Sequence, residues 1–287
     1  MPRPVEVSTY REWRPATLTG LADLLWHYDG PSMSFRKRIL PSSRVELLVN
    51  FGEPYQTVRG AGPKALLRAW IAGPHTVPMV VQQPRRQHVM GVRLTLAGAH
   101  ALLGRPLSEV ANRVVDLNEL MGRRGKQLVE CLSDSASIDR RVQIASRWIC
   151  DQAKRSAAES EEPAIEWVRA EIERSGGAVP IARLRDAANL SKARLVAGFR
   201  GRVGLSPKRY GRVVRFRRAT ALLRAGRSLA ALAAEAGYYD QPHMNAEFRA
   251  LAGVAPRGLL DAAYPLGDGL TIADDAASAV IARAASR

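Results

Sequence analysis

The sequence predicts an α+β chain in two parts, a β-rich first half and an all-helical region behind it. Three observations carry that expectation. Apolar residues alternate with a two-residue period in the first hundred or so positions, the period turns helical from about Ala97, and one helical unit is written twice at an offset of 49 residues.

Val45, Leu47, Val49 and Phe51 fall on one side of an extended segment, and Met90, Val92, Leu94 and Leu96 do the same in "HVMGVRLTL". Successive strand residues point to opposite faces, so each run buries one side. The joints "GEP", "GAGP", "AGPH" and "QQPRR" lie between them and supply turns. "LVECL" and "RVQIASRWI" carry helical spacing and close a first domain over residues 1–150. The polar stretch "DQAKRSAAESEEPA" has no apolar period and marks a linker over 151–163. Residues 164–262 are helical with short Gly-containing joints. The final "LGDGLTIADDAASAVIARAASR" lacks a bulky core, so 263–287 is expected as a loose tail.

Charge narrows the function. The 287 residues hold 43 Lys and Arg against 27 Asp and Glu, a formal net charge of +16. Residues 163–260 alone carry 18 basic and 7 acidic side chains, so most of the excess sits in a third of the chain. A local excess of this kind points to a polyanion partner rather than to a uniform compositional bias. The opening "MPRPVEVSTYREWRP" has no apolar core of a secretory signal, and no apolar run approaches the ~18 residues of a membrane span. Two cysteines, Cys131 and Cys150, suit a reducing compartment and exclude a disulfide scaffold, so the expected location is cytoplasmic, with no membrane partner.

The repeat pairs Ser191 with Asp240, Leu195 with Met244, Phe199 with Phe248, Gly204 with Gly253 and Pro207 with Pro256. Each copy reads as a helix, a tight turn and a second, capped helix. Asn189 and Gly237 stand where a left-handed turn is needed, and Ser191 and Asp240 stand as N-caps. This is a helix-turn-helix written twice, with the second turn one residue longer. On the later helix Met244, Phe248 and Leu251 face inward, while Pro242, His243, Asn245, Ala246 and Arg249 face out, with Gln241 near the capped end. In such a motif the outward front of the second helix enters the major groove. There Gln and Asn pair with adenine, His donates to guanine acceptors and small residues meet a thymine methyl. A merely solvated polar face is the plainer reading of the same residues.

The stretches "NLSKARLVAGFRGRVGLSPKRYGRVVRFRRATALL" and "SLAALAAEAGYYDQPHMNAEFRALAGVAP" resemble the DNA-binding domain of AraC/XylS-family bacterial transcription regulators, over roughly a third of the chain. The resemblance implies sequence-specific binding of double-stranded DNA. Two recognition helices, joined by a linker helix from about Pro207 to Leu223, would enter groove segments roughly 34 Å apart. Carried onto this chain, the base-reading candidates are Gln241, Pro242, His243, Asn245, Ala246, Ala193 and Ala197. The backbone candidates are Ser191, Lys192, Arg194, Arg200, Lys208, Arg209 and Arg249. Alanines cannot read donors or acceptors, so the first unit is expected to grip backbone and shape. Of the linker arginines Arg212, Arg215, Arg217 and Arg218, not all can face one phosphate strand, and some are expected as solvated surface.

Residues 1 to about 145 resemble, less specifically, the sensor domains ahead of this module in actinobacterial regulators, through "ILPSSRVELLVNFGEP", "AGPHTVP", "GVRLTLAGAHALLGRPLSEV" and "VVDLNELMG". That implies a β-rich, barrel-like sensor or dimerisation domain with helices at its C-terminal end. Ser42-Ser43-Arg44 departs from the acidic residue and glycine often found there. The pattern implies DNA as partner, RNA polymerase and an unidentified small-molecule effector as further candidates, an activator among the roles open to it, and a monomer or homodimer. Trp13, Trp26, Tyr28, Phe51, Tyr55 and Trp70 are read as core, with pocket lining as the alternative. His27, His75, His88 and His100 lack metal-ligand spacing and are read as structural or surface groups. No catalytic arrangement, metal site or cofactor is expected. Two rivals stay open: a DNA-repair alkyltransferase-type enzyme carrying the same module, which needs an activated cysteine, and a non-specific architectural binder.

Overall fold

The computed structural model describes residues 8–32, 36–59, 62–65, 68–155, 162–266 and 269–273. Its first half runs β1 (Thr9–Trp13), β2 (Ala22–Pro31), β3 (Arg36–Ile39), β4 (Val45–Asn50), β5 (Gln56–Arg59), β6 (Gly62–Ala65), β7 (Ala69–Ala72), β8 (Met79–Gln82) and β9 (Arg86–Leu94). Then follow α1 (Leu96–Leu103), β10 (Val114–Asp116), α2 (Leu117–Met121), α3 (Arg123–Ser133) and α4 (Ile138–Arg155). The strands form two six-stranded sheets rather than one closed barrel, the first in the order β1-β2-β9-β4-β7-β10.

The two alternating runs become neighbours. β4 pairs antiparallel with β9, setting Leu47 opposite Val92 and Val49 opposite Met90. Val45, Leu47 and Val49 are buried, and Leu102, Leu128, Leu132 and Ile149 from α1, α3 and α4 cover the same face. Burying one such side chain is worth about 1.5–3 kcal/mol, so this layer holds the N-terminal half together. Gly91 is required where Trp26 crosses β9, since a Cβ there would lie 2.2 Å from the indole ring.

The helical region contains α5 (Pro163–Arg174), α6 (Ile181–Ala187), α7 (Lys192–Val203), α8 (Pro207–Arg224), α9 (Leu229–Glu235), α10 (Gln241–Ala252) and α11 (Pro256–Ala262). Both turn positions adopt the left-handed conformation, Asn189 at φ 52° and Gly237 at φ 77°. Both caps form: Ser191 Oγ accepts from the Arg194 amide at 3.2 Å and Asp240 Oδ1 from the His243 amide at 2.7 Å. The long α8 serves two cores. Its Tyr210 and Val213 pack with Leu184, Leu195 and Phe199 of the first unit. Its Phe216, Ala219 and Leu223 pack with Leu232, Met244 and Phe248 of the second. Repeat partners Phe199 and Phe248 make matching edge-on contacts to α8, with Tyr210 at 5.4 Å and Phe216 at 5.0 Å between centroids.

The two halves are joined by more than a linker. Leu40 follows β3 yet is 3% exposed inside the core of the second helix-turn-helix unit. Arg38 Nη1 donates to the Ala252 carbonyl at 3.0 Å, at the C-terminal end of α10. His100 Nε2 lies 3.1 Å from the Arg202 carbonyl, at the end of α7.

Two expectations about the chain's joints need revision. Residues 151–155 continue α4, with 156–161 outside the described residues. The expected loose tail instead supplies β11 (Ala263–Leu266) and β12 (Gly269–Ala273), a hairpin whose β12 pairs with β3, Thr271 opposite Ile39 and Ala273 opposite Lys37. β-branched Thr271 and Ile272 suit a strand, and β3 offers a sheet edge whose backbone groups need partners. Residues 274–287 lie outside the described residues.

Candidate nucleic-acid interface

α10 is amphipathic in the sense the sequence requires. Met244, Phe248 and Leu251 are at most 1% exposed, while Gln241, Pro242, His243, Ala246 and Arg249 are exposed and Asn245 is partly buried. Pro242 occupies the first turn, where helix amides have no intrahelical acceptor, so it interrupts nothing. The His243 imidazole stands edge-on to Tyr238, 5.7 Å between centroids, which fixes its ring beside the turn.

α7 repeats the arrangement with different chemistry. Leu195, Phe199 and Val203 are buried; Ser191, Lys192, Ala193, Arg194, Ala197 and Arg200 are exposed. Lys208 and Arg209 are exposed on the first turn of α8. Arg194 is engaged within the protein, its Nη2 3.0 Å from Glu162 Oε1. The first unit therefore presents cations and small residues, the second amides and an imidazole.

Of the linker-helix arginines, Arg218 is exposed, as expected of some of them, yet all four also make contacts within the protein. Arg212 makes two 2.9 Å hydrogen bonds to Glu247 and so ties α8 to α10. Arg215 Nη2 donates to the Gly177 carbonyl at 2.6 Å, Arg218 Nη1 to the Ser175 carbonyl at 3.3 Å and Arg217 Nη1 to Ser42 Oγ at 3.4 Å. These side chains staple the domain.

A cavity of about 140 Å³ lies between the N-terminal strands and α8. Tyr10, Trp26, Tyr55 and Trp70 are among its lining. Tyr55 and Trp70 stand 5.7 Å apart and the Tyr55 hydroxyl donates to buried Gln87 Oε1 at 2.8 Å. Lys37, Arg44, Arg93 and Arg217 also line it, with Glu46 bonded to Arg93 at 3.1 Å. Burial holds the Lys37 ammonium down to about 8, partly offset by the Glu46 charge. Of the aromatics read as core, Trp26, Tyr55 and Trp70 face this cavity, while Trp13 and Phe51 pack against the first core. Tyr28 donates to the Pro31 carbonyl at 2.7 Å.

The histidines of the N-terminal half make contacts within the protein. His27 and His75 are buried, and His75 Nε2 and Nδ1 face the Leu40 and Gly73 carbonyls at 2.9 and 3.2 Å. Arg141 Nη1 lies 3.0 Å from His88 Nε2 and its guanidinium sits 3.8 Å over the Phe51 ring. Among the described residues no group of three or more His, Cys, Asp and Glu is placed to hold a metal ion, and no helix is long and apolar enough to cross a membrane.

Comparison with known proteins bears on both halves. Residues 184–262 match the family described as a helix-turn-helix domain, and residues 14–116 match a domain of unknown function, DUF6597. Solved structures similar to this chain include ToxT from Vibrio cholerae, at 10% identity and a TM-score of 0.47 over 89% of this chain and 97% of that one. They include ToxT of Vibrio cholerae with an unsaturated fatty acid bound, at 10% identity and 0.44 over 90% and 95%. The AraC-like transcriptional activator CuxR is similar at 14% identity and 0.35 over 78% and 84%. No curated protein sequence matches the chain significantly.

Proposed function

We infer that this chain, a DNA-binding transcription regulator with an AraC-type helix-turn-helix domain behind a DUF6597 domain, reads bases chiefly with α10 and holds the backbone chiefly with α7. The observation that carries the reading is the exposed Gln241 and His243, with Asn245 beside them, on a helix whose opposite face is closed by Met244, Phe248 and Leu251. Gln241 and Asn245 are suited to adenine, His243 to a guanine acceptor, and Pro242, Ala246, Ala193 and Ala197 to thymine methyls. Ser191, Lys192, Arg200, Lys208, Arg209 and Arg249 serve phosphates. Arg194 joins them by exchanging Glu162 for a phosphate; an exposed ion pair is worth only about 0–1 kcal/mol, so the exchange is cheap.

Residues 1–150 form the sensing domain and 164–262 the DNA-binding domain. The effector of this reading is a small anion with an apolar, preferably aromatic, body, because aromatic and cationic side chains line one cavity between sensor and α8. The chain acts as a cytoplasmic regulator and not as an enzyme, as a monomer or homodimer, with RNA polymerase as a further partner. Its thiols Cys131 and Cys150 are unpaired, as a reducing compartment keeps them.

The test is selection of duplexes from a random pool by the wild-type protein and by Gln241→Ala, His243→Ala and Asn245→Ala. Each variant is expected to lose preference at its own base position, at a cost of about 1–3 kcal/mol of discrimination. Unchanged preferences in all three refute the assignment to α10. A wild-type specificity ratio below about a thousand would favour an architectural binder instead.

A further inference from the structure

The two helix-turn-helix units leave their first helices in the same way. The Ala188 and Ala236 amides donate to the Leu184 and Leu232 carbonyls, both at 2.9 Å. Asn189 and Gly237 then take positive φ, and the amides of Leu190 and Tyr238 reach back to the Arg185 and Ala233 carbonyls at 3.1 and 2.9 Å. Leu190 and Tyr238 are thus equivalent, and both turn inward. In the first unit the N-cap Ser191 follows at once. In the second, one more residue stands before the cap Asp240, and it is Tyr239.

The extra residue of the longer turn is therefore identified. The turn does not need it, since the first unit closes without it, and at 93% Tyr239 is the most exposed large apolar side chain among the described residues. Its neighbour Tyr238, at 6%, fills the core position. An aromatic ring left almost wholly in water, one residue ahead of the helix whose front carries Gln241 and His243, is placed for a partner outside the protein. When a recognition helix enters a groove by its N-terminal end, the residues just before its cap meet the sugar–phosphate strand at the groove's edge, not the base pairs.

We propose that Tyr239 is a DNA-backbone contact: its phenol donates a hydrogen bond to a phosphate oxygen on the strand bordering the groove that α10 occupies, and its ring covers the adjoining deoxyribose. The proposal rests on the reading that α10 enters the groove. A phenol brings no cation to the strand and displaces no counterion, so its contribution adds affinity without adding salt dependence, unlike that of a lysine or arginine. The longer second turn thus gives the base-reading unit an anchor that the first unit has no residue to match.

The experiment uses the full chain and a duplex selected by the wild-type protein from a random pool, with a scrambled duplex of equal length as comparison. Because Tyr239 is exposed, Tyr239→Phe and Tyr239→Ala should melt at the wild-type temperature. Tyr239→Phe is expected to bind both duplexes about ten- to a hundredfold more weakly, the loss of one hydrogen bond to a charged group, and Tyr239→Ala more weakly still. The slope of log affinity against log salt should stay as in the wild type. Replacing phosphates one at a time with methylphosphonate should reveal one position that weakens the wild type by the same factor and leaves Tyr239→Phe unchanged. Wild-type affinity in Tyr239→Ala, a loss confined to one base identity, or no methylphosphonate position specific to the tyrosine hydroxyl would each overturn the proposal. If the wild type selects no sequence at all, the groove reading of α10 fails first, an outcome separate from these.

Discussion

Leu40 belongs to the N-terminal, strand-rich half but is buried in the hydrophobic core of the second helix-turn-helix unit, beside side chains of α8, α9 and α10. Its truncation in Leu40→Ala removes ~3 carbons worth about 0.8 kcal/mol each, roughly 2.4 kcal/mol of transfer free energy. The hole left behind adds to this, and Leu→Ala changes in closed cores span about 2–5 kcal/mol, so about 3 kcal/mol is expected. Leu40 is 3% exposed but also borders the cavity beside α8, so the estimate sits toward the middle of that range rather than at its top. Urea unfolding followed by tryptophan fluorescence and by far-ultraviolet dichroism measures the loss, and titration of a selected duplex shows its effect on binding. Leu40→Met, which keeps the volume, should cost less than about 1.5 kcal/mol. A change below about 1 kcal/mol for Leu40→Ala, with unaltered DNA affinity, would refute the reasoning that the N-terminal half helps to build the second helix-turn-helix unit.

Acidification should destabilise the fold through buried histidines. His27 is lowered to about 4, burial being the main cause and the neighbouring His88 next, and His75 is lowered by burial too. The unfolded chain takes up these protons first, so their stabilising contribution is complete above about pH 6.5 and is lost as pH falls toward 4; for His27 the loss is at most about 3 kcal/mol. Urea midpoints at pH 7.5 and 5 should differ in that direction, and a flat profile would contradict the burial of these rings. Arg212→Ala should cost about 1–3 kcal/mol in the same assay because it leaves half-covered Glu247 without its two hydrogen bonds; Glu247→Gln should cost less, and equal costs would argue against a charge-assisted tie. Gly253 holds φ 77° and a Cβ there would lie 2.3 Å from Arg38 Nη1. Gly253→Ala is therefore expected to lower stability by about 1–2 kcal/mol, and no loss in thermal melting would show that neither the backbone nor Arg38 is constrained.

Much of the DNA-binding region was legible because its signals are local. A cap, a left-handed turn residue and a period of 3.6 each declare themselves within a few positions, so Asp240, Gly237 and the buried stripe Met244, Phe248 and Leu251 were readable without tertiary knowledge. The alternation at 45–51 and 90–96 likewise gave two strands, though not that they would lie side by side. What escaped depends on distant partners. Leu40 looks like any strand-end leucine until α10 packs on it. The acceptors of Arg215 and Arg218 are backbone carbonyls more than thirty residues away, which no charge pattern displays. Trp70 is core as read, and that it also borders the cavity with Trp26 escaped because an aromatic residue facing a cavity and one facing a neighbour have the same sequence context. "GLTIA" reads as loose until β3 offers it an edge.

The most direct test is a hydroxyl-radical footprint of the full chain on a duplex selected from a random pool. Two protected segments are expected on one face, with centres about 10 base pairs apart, and Gln241→Ala should weaken the segment under α10 more than the one under α7. A single short segment, or uniform protection along the whole duplex, would contradict two paired helix-turn-helix units gripping successive turns of DNA.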